Sequence, residues 1–114
     1  MKHLDSLETR LPQDREAALM AALPVQIAHA QQHSAAFAGI LSGVNAAAIT
    51  SRTALASLPV TRKHELLERQ QAQRATDPFG GFSTIGWKGL VRSSGARRVY
   101  QSPGPIYEPE GAGA

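Results

Sequence analysis

Cysteine is absent from this chain. That excludes a disulfide framework, a thiol nucleophile and thiolate metal ligands. It suits a reducing compartment, and the cytoplasm is the expected location. Aromatic residues are scarce as well, at 5% of 114 residues, and alanine dominates the 42% that is hydrophobic. A core of alanines and a few leucines buries little area per residue at roughly 25 cal/mol per Å². One small domain of marginal stability is expected when the piece stands alone. Long hydrophobic runs are missing too. The alanine-rich stretch is interrupted by Pro24, His29, Gln31, Gln32 and His33, so nothing approaches the ~20 apolar residues of a membrane span. Met1 to Asp5 brings an early acid and no apolar run, so a secretory signal is not expected there. Basic charge is in mild excess, with 12 basic against 9 acidic residues and a net charge of +3. Apart from Arg62-Lys63 and Arg97-Arg98 these residues are scattered, whereas a nucleic-acid binder gathers them on one face. Neither nucleic acid nor a membrane is an expected partner.

What is present reads first as helix. Met1 to Leu11 reads as an extended lead-in. Pro12 suits the first turn of a helix, where its missing N–H costs nothing, and Asp14 and Glu16 suit the positive end of the helix dipole. Leu19, Met20, Leu23, Ile27 and Ala30 then recur at helical spacing and form an apolar stripe. Pro24 removes the bond to the Met20 carbonyl and is expected to kink or split the helix. Ser34 precedes a short helix with Phe37, Ile40 and Leu41 as its apolar face, closed by Gly43. Asn45 to Thr50 is a turn region. Ser51 caps a short helix carrying Ala54, Leu55 and Leu58. Leu58 precedes a proline and is extended. Thr61 is the expected N-cap of a helix from Arg62 to about Arg74, with Leu66 and Leu67 in the core and Glu65 paired with Arg69.

The character changes after Ala75. Asp77 to Phe82 is a loop. Thr84 to Val91 is assigned a short strand, Gly95-Ala96 a turn, and Arg97 to Gln101 a strand. From Ser102 onward proline and glycine dominate. The chain therefore divides into a helical segment, residues 1–75, and a loop-and-strand segment, residues 76–114. The class is mainly α, with strand material too short to make a sheet alone.

Few residues carry chemistry. His29 and His33 stand one helical turn apart, a spacing that suits two ligands of one metal. No third ligand is evident, so a polar helix face is preferred and no metal site is assigned. His64 has no nucleophile or orienting carboxylate at fixed spacing and reads as a surface residue. Ser93-Ser94-Gly95 lacks the residues that would make it a phosphate loop and reads as a plain turn. Phe79, Phe82 and Trp87 read as core or interface rather than a ligand pocket. No catalytic residue is assigned. The run from Ser102 to Gly111 is the informative one. A strand leading into a glycine-containing loop that begins with serine can offer hydroxyls and N–H groups to phosphate oxygens.

The order of these features resembles the N-terminal region of phenylacetate–coenzyme A ligases, members of the acyl-adenylate-forming (AMP-dependent synthetase) superfamily. The resembling pieces are Leu7-Glu8-Thr9-Arg10, the helix with Arg15-Glu16, and Leu58-Pro59-Val60-Thr61-Arg62-Lys63 with Glu65-Leu66. Pro78-Phe79-Gly80-Gly81-Phe82 and Arg98-Val99-Tyr100-Gln101-Ser102 complete the set. The resemblance implies the helical N-terminal segment of an α/β adenylate-forming enzyme, cut at the start of its large domain. The complete enzyme would use ATP and Mg²⁺ to adenylate an aryl or acyl carboxylate, then coenzyme A to form the thioester. No cofactor is expected for this piece alone, which would not catalyse. A second copy of the chain is left open as a partner.

One family motif is expected within this chain, a phosphate loop that usually reads Ser-Ser-Gly-Thr-Thr-Gly-Lys-Pro. Ser102, Gly104 and Pro109 fit it, and Ser102 and Gly104 are the candidate ATP-binding residues. Pro103, Pro105 and Ile106 replace hydroxyl residues, Tyr107 replaces glycine, and Glu108 replaces lysine. The prolines remove N–H donors, and Glu108 brings negative charge where a cation would help. The rival reading is a non-enzymatic helical module that binds a protein partner through Leu19, Met20, Leu23, Ile27 and Phe37.

Overall fold

The computed structural model describes residues 1–87 and 98–110. It is mainly α, with one short two-stranded antiparallel sheet. The helices are α1 (Pro12–His33), α2 (Ala35–Ile40), α3 (Arg52–Ala56) and α4 (Lys63–Ala72), followed by strands β1 (Val99–Ser102) and β2 (Ile106–Pro109). No helix among the described residues is long and apolar enough to cross a membrane.

Local capping explains most helix starts. Pro12 opens α1 as expected. Ser34 caps α2, its hydroxyl accepting from the Phe37 N–H at 3.3 Å. Asn45 accepts from the Ala47 N–H and starts a short 3-10 turn, Ala46–Ala48. Ser51 caps α3 by accepting from Ala54 at 3.1 Å. Gly43 closes the α2 region with a positive φ of 79°.

Several expectations fail in instructive ways. The lead-in is not wholly extended, because Ser6–Thr9 forms a 3-10 turn held by the Asp5 carboxylate on the Leu7 N–H. Pro24 does not split α1, which runs unbroken across it. A single proline removes one bond, and the bonds on either side hold the helix together. Thr61 is not the cap of α4. Arg62 occupies that position, and the Glu65 carboxylate reaches back to accept its N–H at 3.2 Å. Leu66 and Leu67 are only half-buried, while the buried residue of α4 is Gln70. Thr84 to Trp87 runs as bends rather than strand. The rest of that segment, the Ser93-Ser94-Gly95 and Gly95-Ala96 turns and Arg97 lie outside the described residues.

The contacts divide the chain into two compact units. The first comprises Met1–Ala28 and Val44–Leu58. It buries Ile27 and Ile49, while Leu19 of the expected stripe is exposed. Its long-range tie is an exposed ion pair, in which Arg52 Nη2 and Nε donate to the two Glu16 oxygens at 2.7 and 2.5 Å. The second unit comprises His29–Gly43 and Pro59–Ala114 and contains the hairpin, α4 and the Asp77–Phe82 loop. It buries Ser34, Ala36, Leu41, Gln70, Phe79, Ser83 and Ile106.

The last stretch was expected to be a loop beyond Ser102. It instead turns back as β2, with Tyr100 opposite Glu108 and Ser102 opposite Ile106. Pro109 does not break the ladder, because it sits opposite Val99 in a position whose N–H would face away from β1.

Candidate functional site

The second unit is organised around the loop from Asp77 to Phe82. Asp77 begins it, and its two carboxylate oxygens accept from the N–H groups of Phe79 and Gly81, each at 2.9 Å. Gly80 and Gly81 adopt positive φ of 62° and 79°, a conformation that costs glycine nothing. Both lie against backbone. A Cβ on Gly80 would meet the Gln70 N at 3.1 Å, and one on Gly81 would meet the Ala36 N at 3.2 Å. The paired glycines therefore let the loop press against α4 on one side and α2 on the other. The Gly81 carbonyl accepts from Ala36 N–H at 2.9 Å and from the Ser34 hydroxyl at 2.8 Å. Ser34 thus caps α2 and anchors the loop at once.

α4 supplies the other two anchors. Arg69 Nε donates to the Gly80 carbonyl at 2.8 Å, and its guanidinium lies 5.6 Å from the Phe82 ring centroid, within cation–π range. Arg69 is thereby committed to the loop rather than to the Glu65 pairing expected from helix spacing. Gln70 is 4% exposed. Its Nε2 donates to the carbonyls of Phe79 at 3.3 Å and Tyr107 at 2.9 Å, and its Oε1 accepts the Tyr107 N–H at 2.9 Å.

Between these anchors lies a cleft of about 330 Å³, lined on its apolar side by Phe37, Leu66, Phe79, Phe82, Ile85 and Tyr107. Phe37 and Phe82 meet edge to face, with centroids 5.5 Å apart, a favoured geometry for aromatic pairs. Two polar residues of the cleft are already committed. Gln70 is held as above, and the Ser83 hydroxyl donates to the Gly86 carbonyl and accepts from the Ile85 N–H, each at 3.2 Å. The cleft can shelter an apolar group, and these polar atoms hold backbone in place.

The expected phosphate residues lie on the hairpin. Ser102 ends β1, paired with Ile106, and Gly104 occupies the connecting turn at φ 148°, followed by a cis peptide to Pro105. Pro103 and Pro105 carry no N–H. The turn between the strands therefore offers one backbone donor, Gly104, beside the Ser102 hydroxyl. A nest for a triphosphate uses several successive N–H groups, so this turn suits one phosphate oxygen rather than a wrapped triphosphate. A cation does stand nearby. Lys63 Cε lies 3.6 Å from the position a Cβ on Gly104 would occupy. Sequence spacing missed Lys63, which is far from Gly104 along the chain and is brought to the turn only by the fold.

His29 and His33 do face each other on α1, with ring centroids 4.5 Å apart. Among the described residues no group of three or more His, Cys, Asp or Glu gathers as a metal site. His64 follows Lys63 in the first turn of α4 and is exposed. Phe79 is buried, Phe82 half-buried, and Trp87 exposed. No protein-family profile, curated protein or solved structure matches this chain.

Proposed function

We propose that this chain is the non-catalytic N-terminal segment of an ATP-dependent acyl- or aryl-coenzyme A ligase of the adenylate-forming type, acting in the cytoplasm. The observation that carries the reading is where the resembling pieces lie. Pro59 to Leu66, Pro78 to Phe82 and Arg98 to Ser102 belong to the second unit, whereas Leu7 to Arg10, Arg15-Glu16 and Leu58 belong to the first. Arg69 and Gln70 tie the glycine loop and the hairpin to α4. Within the second unit, segments far apart in sequence thus act as one element. The roles found for the residues are positional: they hold a loop and a hairpin in fixed relation.

In the complete enzyme, ATP with Mg²⁺ would supply the activation chemistry, and coenzyme A would accept the acyl group. Ser102 and Gly104, with Lys63 beside them, would lie closest to the phosphates on this segment. The test is pyrophosphate release from ATP, measured on the longer reading frame that contains this chain, across a broad panel of aryl and acyl acids. Release with a subset of acids is expected, and none from the 114-residue chain by itself. No release from the longer protein with any acid would overturn the proposal.

A further inference from the structure

α1 ends on two imidazoles that meet. His29 and His33 are four residues apart, and His33 is the last residue of the helix. Residues at that spacing lie one above the other on a single helix face. Their ring centroids stand 4.5 Å apart, with the planes tilted by 41°. Both residues are exposed, so solvent and ions reach them. Both belong to the second unit.

Two features suit this pair to a cation. The first is distance. Two nitrogens bound to one ion at about 2.0–2.1 Å stand roughly 3–4 Å from each other. Rings with centroids at 4.5 Å bring nitrogens on their facing edges into that range by small side-chain rotations. The second is the local field. The C-terminal end of a helix carries about half a negative charge, and His33 occupies that end of α1. No lysine or arginine lies between Arg15 and Arg52. α1 beyond its first turn and the whole of α2 therefore bring no fixed positive charge to the pair.

We infer that His29 and His33 chelate one divalent transition-metal ion, with Cu²⁺ bound most tightly and Ni²⁺ and Zn²⁺ less so. Imidazole nitrogen suits these ions, and Cu²⁺ stands highest in the general affinity series. Mg²⁺, the ion of the proposed ligase chemistry, takes oxygen ligands and is not the occupant. A closed structural site has four protein ligands. Here the protein supplies two, and among the described residues no third His, Cys, Asp or Glu gathers with them. The other positions belong to water or to a donor on an incoming molecule, so the site is an open one.

The ion would span the turn that the helix bond from the His33 N–H to the His29 carbonyl closes. It would pin the end of α1 directly before Ser34. The Ser34 N–H donates to the Ala30 carbonyl at 3.0 Å, and its hydroxyl anchors the Gly81 carbonyl. Binding would thus fasten the junction between α1 and α2.

The test uses the full 114-residue chain carrying His3→Gln and His64→Gln, which leaves the pair as its only histidines. Titration calorimetry should show one Cu²⁺ or one Zn²⁺ per chain, the first held more tightly, and no uptake of Mg²⁺. Adding His29→Gln or His33→Gln should weaken Cu²⁺ binding by roughly tenfold or more, because the second imidazole acts at high effective concentration. His29→Gln with Gln32→His keeps two imidazoles but sets them at adjacent positions, about 100° apart around the helix. That spacing variant should bind no better than a single histidine. Amide exchange at His33 and Ser34 should slow with Zn²⁺ when the pair is intact and not in the spacing variant. Undiminished affinity in either single variant, or in the spacing variant with a native circular-dichroism spectrum, would overturn the inference. So would a chain with the pair intact that takes up no Cu²⁺ at millimolar concentration.

Discussion

The Gln70 side chain serves Tyr107 as a neighbouring strand would. Its amide nitrogen donates to the Tyr107 carbonyl at 2.9 Å, and its amide oxygen accepts the Tyr107 N–H at 2.9 Å, across 37 residues of sequence. A primary amide carries the same donor and acceptor as a peptide group. It can therefore close a sheet edge from a helix, and a two-stranded hairpin that is marginal alone gains a fixed seat.

Replacing Gln70 with alanine should unfasten that seat. The backbone groups of Tyr107 and the Phe79 carbonyl lose their partner together. A loss of roughly 2–3 kcal/mol is expected, since each stranded polar group costs about 1–3 kcal/mol and water reaches some of them. Gln70→Glu keeps the shape but as a carboxylate cannot donate to the two carbonyls, so it should lie nearer to alanine than to the parent. Urea unfolding gives the energies, and amide exchange at Tyr107 gives the location. A Gln70→Ala chain with parental stability and parental protection at Tyr107 would refute the role.

The loop glycines separate two costs. Gly86 has a φ of 67° with open space around it, whereas Gly80 at 62° and Gly81 at 79° face backbone at 3.1 and 3.2 Å. Gly86→Ala should register the left-handed conformation alone, about 1–2 kcal/mol. Gly80→Ala and Gly81→Ala should cost more, because the Gln70 and Ala36 backbone must also shift. Equal losses at the three positions, measured by thermal unfolding, would show that the close approaches are unimportant.

Local signals were legible and distant ones were not. Ser34 and Ser51 each cap a helix within three residues, and Pro12 sets φ for its own helix, so local sequence located those starts, whereas Asn45 reads from sequence only as the start of a turn region and caps a short 3-10 turn. α4 started one residue later than Thr61 suggested because Glu65 reaches back to the Arg62 N–H, and capping by that route leaves the cap residue's own identity free. β2 was missed because its glycine and proline neighbours read as loop. Only the register with β1 shows that Pro109 falls where no donor is needed. Arg69 and Gln70 looked like an ordinary solvated helix face. Their partners at Gly80, Phe79 and Tyr107 come from folding, which no periodicity within α4 can announce. The candidate site was legible in part. Ser102 and Gly104 stood out by residue type, while Lys63 beside them did not.

The Glu16–Arg52 pair sets a pH dependence. The hydrogen bond from Arg52 holds the Glu16 carboxyl below its ordinary value and raises Arg52 in turn. A carboxylate with a depressed folded value stabilises above its unfolded value, and that contribution is lost as pH falls through the folded one. Stability should therefore decline on acidification below the ordinary glutamate range by an increment that Glu16→Gln lacks. The two melting-temperature curves should differ near neutral pH and converge in acid. Both side chains are exposed, so high salt should shrink the difference. Curves that stay parallel from neutral pH into acid would contradict this.

Lys63 gives the proposed ligase reading its sharpest residue-level test. The resemblance puts glutamate at 108 where a lysine is usual, and the fold sets Lys63 against the Gly104 turn instead. If that ammonium serves the phosphates, Lys63→Met in the longer protein should raise the ATP dissociation constant by roughly tenfold or more, the scale of one charged hydrogen bond. Ser102→Ala should raise it less, since a neutral donor contributes less than a charged one. Lys2→Met controls for general loss of positive charge. Isothermal titration with ATP and Mg²⁺ separates the cases. Three variants with the parental constant would remove Lys63 and Ser102 from the phosphate contacts, while acid-dependent pyrophosphate release would still stand as an independent measure of the ligase reading.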